Sequence, residues 1–176
     1  MKRTIFQRLV VLTVLCVGTT ALPAQQRPGC DTDSLYQLLD FWVGEWNVYD
    51  DQDVLAGQNR IEKILNGCAV MEHWTGSGGG EGKSLFYVDN DTREWRQVWV
   101  TGAARQPWGQ KEKAMIYFRR DRMVIFQGQY LMAGRMQLDR TLLERVSPDE
   151  VKQTIQVSAD GGQSWNTTFV GHYRRI

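Results

Sequence analysis

The stretch WTGSGGGEGKSLF, Trp74 to Phe86, ends in Gly82-Lys83-Ser84, the residue types of a phosphate-binding loop. Such a loop needs a glycine, four residues, then Gly-Lys-Ser/Thr, so that backbone amides and the lysine wrap the phosphates. Counting back, the first glycine should stand at position 77, which holds Ser77, and Gly76 lies one position too far. A dinucleotide pattern begun at Gly76 and Gly78 wants its third glycine where Glu81 stands. Both motifs also need a helix to follow, because its N-terminus meets the phosphate. SLFYVD, which follows here, alternates like a strand. The run therefore reads as a hairpin loop.

The two histidines, His73 and His172, are the residues a metal or haem iron would use. His73 lies between Glu72 and Trp74 and, on a strand, on the opposite face from both. No third ligand accompanies either histidine at metal-site spacing. No nucleophile-elbow sequence occurs, and acidic pairings such as Glu72 with Glu62 or Glu112 would need the fold to make them. SADGGQSW, Ser158 to Trp165, matches the Ser-x-Asp-x-Gly-x-x-Trp box of sialidase-like propellers once. Asp160 can bond amides across a tight turn there, so the box reads as structural.

The aromatic strands carry more. Val70, Glu72 and Trp74 share one face of CAVMEHWT; Trp95, Gln97 and Trp99 share one face of EWRQVWV. Aromatic surface with a few polar groups suits a small-molecule pocket, and equally a packed core. As a pocket, Trp74 and Trp99 would stack on a small, partly apolar ligand, with Glu72 and Gln97 orienting its polar end. This is the expected function: non-catalytic ligand binding. The competing enzyme reading is isomerase or lyase chemistry with Glu72 as a buried acid of raised pKa.

These residues need a scaffold. Leu35, Leu38, Leu39 and Trp42 have helical spacing after the capping types Asp31, Thr32 and Asp33, which predicts a short helix. From Glu45 onward the period becomes two. Ten segments alternate between turn signals DDQD, NG, GSGGGEG, DNDT, RDR, SPDE and DGGQ. An all-β fold follows: a short helix, then an antiparallel meander barrel of about ten strands, with a β-sandwich as the alternative.

The chain has 176 residues, 42% of them hydrophobic, enough for one domain. Lys2, Arg3 and Arg8 precede the apolar run LVVLTVLCVG and the small residues of TTALPA. That order reads as a secretory signal over residues 1–24, cut after Ala21 or Ala24, with a retained anchor as the alternative. Residues 25–34 read as a linker and 35–176 as the barrel domain. The expected location is outside the cytoplasm, as in a bacterial periplasm. Three of the 21 basic residues and none of the 20 acidic ones lie in residues 1–24, so the remainder is slightly acidic. It has no electrostatic reason to seek nucleic acid, and without the signal nothing directs it to a membrane. Nothing in the sequence fixes the oligomeric state. Cys30 and Cys68 remain beyond the signal, and in an oxidising compartment they most simply pair.

FWVGEWNV resembles the entry segment of lipocalin-like (calycin) barrels, a short helix leading to Gly-x-Trp, here Gly44, Glu45 and Trp46. The resemblance implies that Trp46 closes the barrel base beneath a basic residue of the last strand, Arg174 or Arg175. The ordered run FWVGEW, AGQNRIEKILNGCAVMEHWTG, GKSLFYVD and WRQVWV is similar to a family of small secreted bacterial proteins of unknown function with that fold. It covers residues 38–175 and implies a barrel without a reaction. A more distant likeness is to the haem-binding nitrobindins, whose ligand histidine matches a position near Thr168 rather than His172.

Overall fold

The computed structural model describes residues 29–176; the signal-peptide reading falls outside them. Two 3-10 helices, Ser34–Gln37 and Asp40–Trp42, precede ten strands. The strands are β1 (Gly44–Tyr49), β2 (Leu55–Ile64), β3 (Ala69–Gly76), β4 (Glu81–Val88), β5 (Trp95–Thr101), β6 (Gln110–Arg119), β7 (Met123–Met132), β8 (Arg135–Ser147), β9 (Glu150–Ser158) and β10 (Asn166–Arg175). Every strand pairs antiparallel with its chain neighbours, and β1 pairs with β10, so the sheet closes into a barrel. Closure leaves no free edge, which a sandwich would have. Among the described residues no helix is long and apolar enough to cross a membrane.

The leading helix is shorter and tighter than its spacing predicts. Asp33 caps it, accepting from the Leu35 amide at 2.9 Å. It breaks at Leu38–Leu39 and resumes as a second short turn. The physical reason is packing: Leu38, Leu39 and Trp42 are all buried, more apolar surface than one face of a single α-turn presents to the barrel base. The Cys30–Cys68 disulfide ties this entry segment to the β2–β3 turn.

The core occupies one half of the barrel. From the base upward, inward positions alternate as a strand requires. Ile61, Val70, Phe86, Trp95, Phe126, Leu143 and Val151 form a buried apolar layer around Trp42 and Trp46. Phe86 meets the Trp42 edge at 5.5 Å and the Phe126 ring at 5.3 Å, both edge to face.

At the base, Trp46 is fully buried and donates to the Trp42 carbonyl at 2.9 Å. The Arg175 guanidinium lies 4.2 Å above its ring and donates to the Val43 carbonyl. Gly44 has a φ of 147°, which residues with a side chain rarely adopt, and Arg175 Nη1 occupies the space its Cβ would take. Arg174, one residue earlier, points to the other face, over the Tyr49 ring at 4.6 Å and against Asp53 at 2.6 Å. Of the two arginines considered for the base, Arg175 covers it and Arg174 does not, because strand neighbours face opposite ways.

Candidate functional site

Above the apolar layer the inward positions change character within two residues of each strand. On β2, Asn59 follows Ile61 toward the open end; on β3, Glu72 follows Val70; on β4, Ser84 replaces Phe86; on β5, Gln97 follows Trp95. β6 contributes Lys113, β8 Thr141 and Asp139, and β9 Gln153. All are buried polar groups, and most of their polar atoms bond one another, Asn59 Oδ1 and Gln97 Oε1 excepted.

The bonds form two groups. In the first, Gln97 Nε2 donates to Ser84 Oγ at 3.0 Å, and Ser84 Oγ donates to Glu72 Oε2 at 2.6 Å. Asn59 Nδ2 donates to Glu72 Oε1 at 2.8 Å and to the Tyr173 hydroxyl at 3.2 Å, which donates on to Gln153. In the second, Lys113 Nζ donates to Asp139 Oδ1 at 2.5 Å and to Thr141 Oγ1 at 2.7 Å, while Lys111 Nζ pairs with Asp139 Oδ2. Lys113 and Asp139 sit on β6 and β8 with β7 between them. Gly128 faces both across that strand, and a Cβ there would come within 2.0 Å of the Glu112 carbonyl oxygen. The missing side chain leaves the gap that the lysine crosses.

Beyond this polar layer lies a cavity of about 770 Å³. Glu72, Gln97, Lys111, Lys113 and Tyr173 line its floor, and Trp74, Trp99, Ile155 and Phe169 its walls. Gly79, Gly80 and Glu81 of the glycine run, with Ala103 and Trp108 of the β5–β6 loop, form its exposed mouth. The barrel is hollow here for a specific reason. A Cβ on Gly82 would lie 2.2 Å from Trp99 Cη2, and one on Gly57 would lie 2.7 Å from Trp74 Cη2. Each indole therefore lies against the wall, in the space a neighbouring side chain would take, and leaves the lumen open.

Burial pushes the Glu72 carboxyl above the ordinary range, against the hydrogen bonds from Ser84 and Asn59 and the charge of Lys113. Burial likewise pulls the Lys113 amine down to about 8, opposed by its pairing with Asp139. Tyr173 is raised well above the usual phenol range by burial and by the nearby Glu72. A Glu72 that holds its proton longer when folded favours folding fully at acidic pH; that contribution is lost as pH rises from the unfolded carboxyl range through the folded one. Glu72→Gln should therefore gain on the wild type as urea melts move from about pH 4 toward about pH 8. A stability difference that stays flat over that span would mean Glu72 is not held protonated by the fold.

The four residues expected from strand alternation, Glu72, Trp74, Gln97 and Trp99, are brought together on this one cavity. Sequence reasoning missed Asn59, Lys111, Lys113, Asp139 and Tyr173. A signal existed for the lysines: in KEKAM they alternate with Met115, so they share a face with a core residue. The acidic pairings do not form. Glu62 faces outward with Arg60 at 2.5 Å and His73 at 2.8 Å, and Glu112 is exposed.

Neither histidine lines the cavity. His73 lies between Glu62 and Lys83, and His172 near Asp51 and Glu150. Thr168 is exposed beside the β10 bulge and bonds the Ile155 carbonyl. The barrel thus has no histidine placed to hold a haem iron inside it. Among the described residues no group of three metal-ligating side chains occurs.

The propeller-like box is a self-contained turn. Asp160 accepts from the Ser164 amide at 2.9 Å and from Ser158 Oγ at 2.7 Å, and these bonds with the Ser164 hydroxyl lower its pKa. Gly161 and Gly162 have φ of 74° and 94°, and Trp165 is capped by Arg140 at 3.9 Å. The run Gly76–Gly80 is likewise a hairpin turn, closed by the Gly76 amide on the Gly80 carbonyl at 2.7 Å. A strand, β4, follows it where a phosphate loop needs a helix.

No protein-family profile matches the chain, and comparison with curated proteins finds none similar to it in sequence.

Proposed function

We propose that this protein is a ligand-binding barrel of lipocalin-like type that holds a small, partly apolar molecule without reacting with it. The observation that carries the reading is the cavity of about 770 Å³, indole-walled above and polar at its floor. Its size and mixed lining are those of small-molecule sites. Gln97 Oε1, buried on the cavity floor without a hydrogen-bond partner, would accept from a ligand hydroxyl or amide. The likeness of the Gly44–Trp46 entry segment to calycin barrels supports the lipocalin-like assignment. The basic, then apolar, N-terminal residues and the Cys30–Cys68 bridge support a location outside the cytoplasm.

Native mass spectrometry of protein purified without denaturant tests the reading, with titration of an apolar fluorophore followed through tryptophan emission. A small molecule that co-purifies, or saturable fluorophore binding at one site per chain, is expected. Gly82→Val is the matching control. Valine suits a strand, but its Cβ takes the place of the Trp99 ring tip and drives the indole into the lumen. Fluorophore affinity should fall by about tenfold or more, an effect of the size expected for losing one good apolar contact surface. Unchanged affinity in a folded Gly82→Val would place the binding elsewhere.

One observation favours a second reading. Glu72 combines burial, a raised pKa and a place on the cavity floor, the arrangement of a general acid or base in isomerase or lyase chemistry. Turnover that is saturable and vanishes in Glu72→Gln, with fluorophore binding intact, would replace the carrier reading by this one.

A further inference from the structure

The charges around the cavity do not pair one to one. Four charged side chains line it: Glu72, Glu81, Lys111 and Lys113. Glu81 is exposed at the mouth. Glu72 is tied to Asn59 and Ser84 and makes no ion pair with either lysine. Both lysines fall instead on the single carboxylate of Asp139, one on each oxygen. Asp139 is 1% exposed, and the Lys113 side chain 3%. Two ammonium groups contact one carboxylate, and Glu72, whose charge also reaches Lys113, is pushed by burial toward its neutral form, so positive charge prevails here in surroundings that screen it poorly.

Lys113 has three N–H donors and spends them on Asp139 and Thr141 alone, so one is left on a residue that lines the cavity. An amine titrating near 8 is still mostly protonated at neutral pH. Asp139 already meets the cation, and an anionic acceptor in the cavity would satisfy its remaining donor.

We propose that Lys111 and Lys113, braced by Asp139, form a subsite for the carboxylate of a small organic acid whose apolar body lies against Trp74 and Trp99. This rests on the ligand-binding reading and names the class of ligand. The carboxylate would take the spare Lys113 donor and balance the excess charge; a charge-assisted bond of this kind is short and strong. Asp139 keeps both ammonium groups in place when the subsite is empty. A neutral apolar ligand would leave the extra charge unmatched, and a cation would be repelled.

The experiment compares matched pairs on the full folded barrel: decanoate against its methyl ester, and naphthoate against its methyl ester, by calorimetry at neutral pH. Each acid should bind roughly tenfold or more tightly than its own ester, the equivalent of one hydrogen bond to a charged group. Which acid binds better separates an aliphatic from an aromatic source. Lys113→Met and Lys111→Met are made singly, so that Asp139 always keeps one partner. Each should bring acid affinity down toward the ester's while ester affinity holds. Should Lys113→Met not fold, Lys111→Met and the wild-type pairs decide alone. Esters that bind the wild type as tightly as the acids would overturn the carboxylate subsite and leave the cavity reading standing. Failure of all four compounds, together with the apolar fluorophore, would remove both.

Discussion

Trp46→Ala should destabilise the barrel by about 3–5 kcal/mol, the cost of deleting a large buried aromatic side chain. Trp46 is the plug of the closed end. Its ring is fully buried, its indole N–H bonds the Trp42 carbonyl at 2.9 Å, and Tyr173 meets it edge-on at 6.3 Å. Little nearby can collapse into the space. Trp42 is held by its own contacts to Phe86 and Tyr173, and Arg175 would carry its charge over an open hole. Truncation thus removes apolar burial, one buried hydrogen bond and the face on which a guanidinium rests. Arg175→Ala removes only the last of these and should cost about 1 kcal/mol or less, as expected for a solvent-reached cation on a ring. Chemical denaturation of both variants gives the comparison. A Trp46→Ala loss no larger than that of Arg175→Ala would show that the base is not what holds the barrel closed.

The second large effect is expected at the disulfide. Cys30 and Cys68 are 38 residues apart in sequence. In the chain-entropy account a loop of that length is worth about 4 kcal/mol, through restriction of the unfolded chain. The loop encloses both 3-10 helices, β1 and β2, so it spans the entry segment and the first hairpin of the barrel. Replacing both cysteines by serine should lower the denaturation midpoint strongly, with Leu38, Leu39 and Trp42 loosening first, because those short turns have little hydrogen bonding of their own. Hydrogen exchange of residues 34–43 would report that order. Both cysteines should resist thiol labelling in unfolded, non-reduced protein; labelling of either refutes the bridge.

How much of this could be read from residue order differs by feature. The ten strands could, because a half-buried strand must alternate and the turns between them carry Gly, Asn and Asp where the backbone reverses. Glu72 with Trp74 and Gln97 with Trp99 could too, since within one strand a spacing of two fixes a shared face. Lys111 and Lys113 could have been found by the same rule, but their charge argued for the solvent side, and only Gly128 and Asp139 on two other strands make the inward position tolerable. The leading helix divides into two 3-10 turns because its spacing records which residues are apolar, not how sharply the chain must bend to bury all of them.

Sequence by itself determined a barrel of about ten strands, the residues that share a face on β3 and β5, and the two cysteines able to pair, since each depends on local period or on simple count. Tertiary structure alone decided which of Arg174 and Arg175 covers Trp46, which carboxylate the buried lysines share, and whether the lumen is filled. Those depend on the stagger between strands, which sets diagonal neighbours such as Asn59 and Glu72 and is not encoded in any one segment. The hollow itself comes from two residues without side chains, Gly57 and Gly82, each letting a tryptophan from the next strand lie flat along the wall.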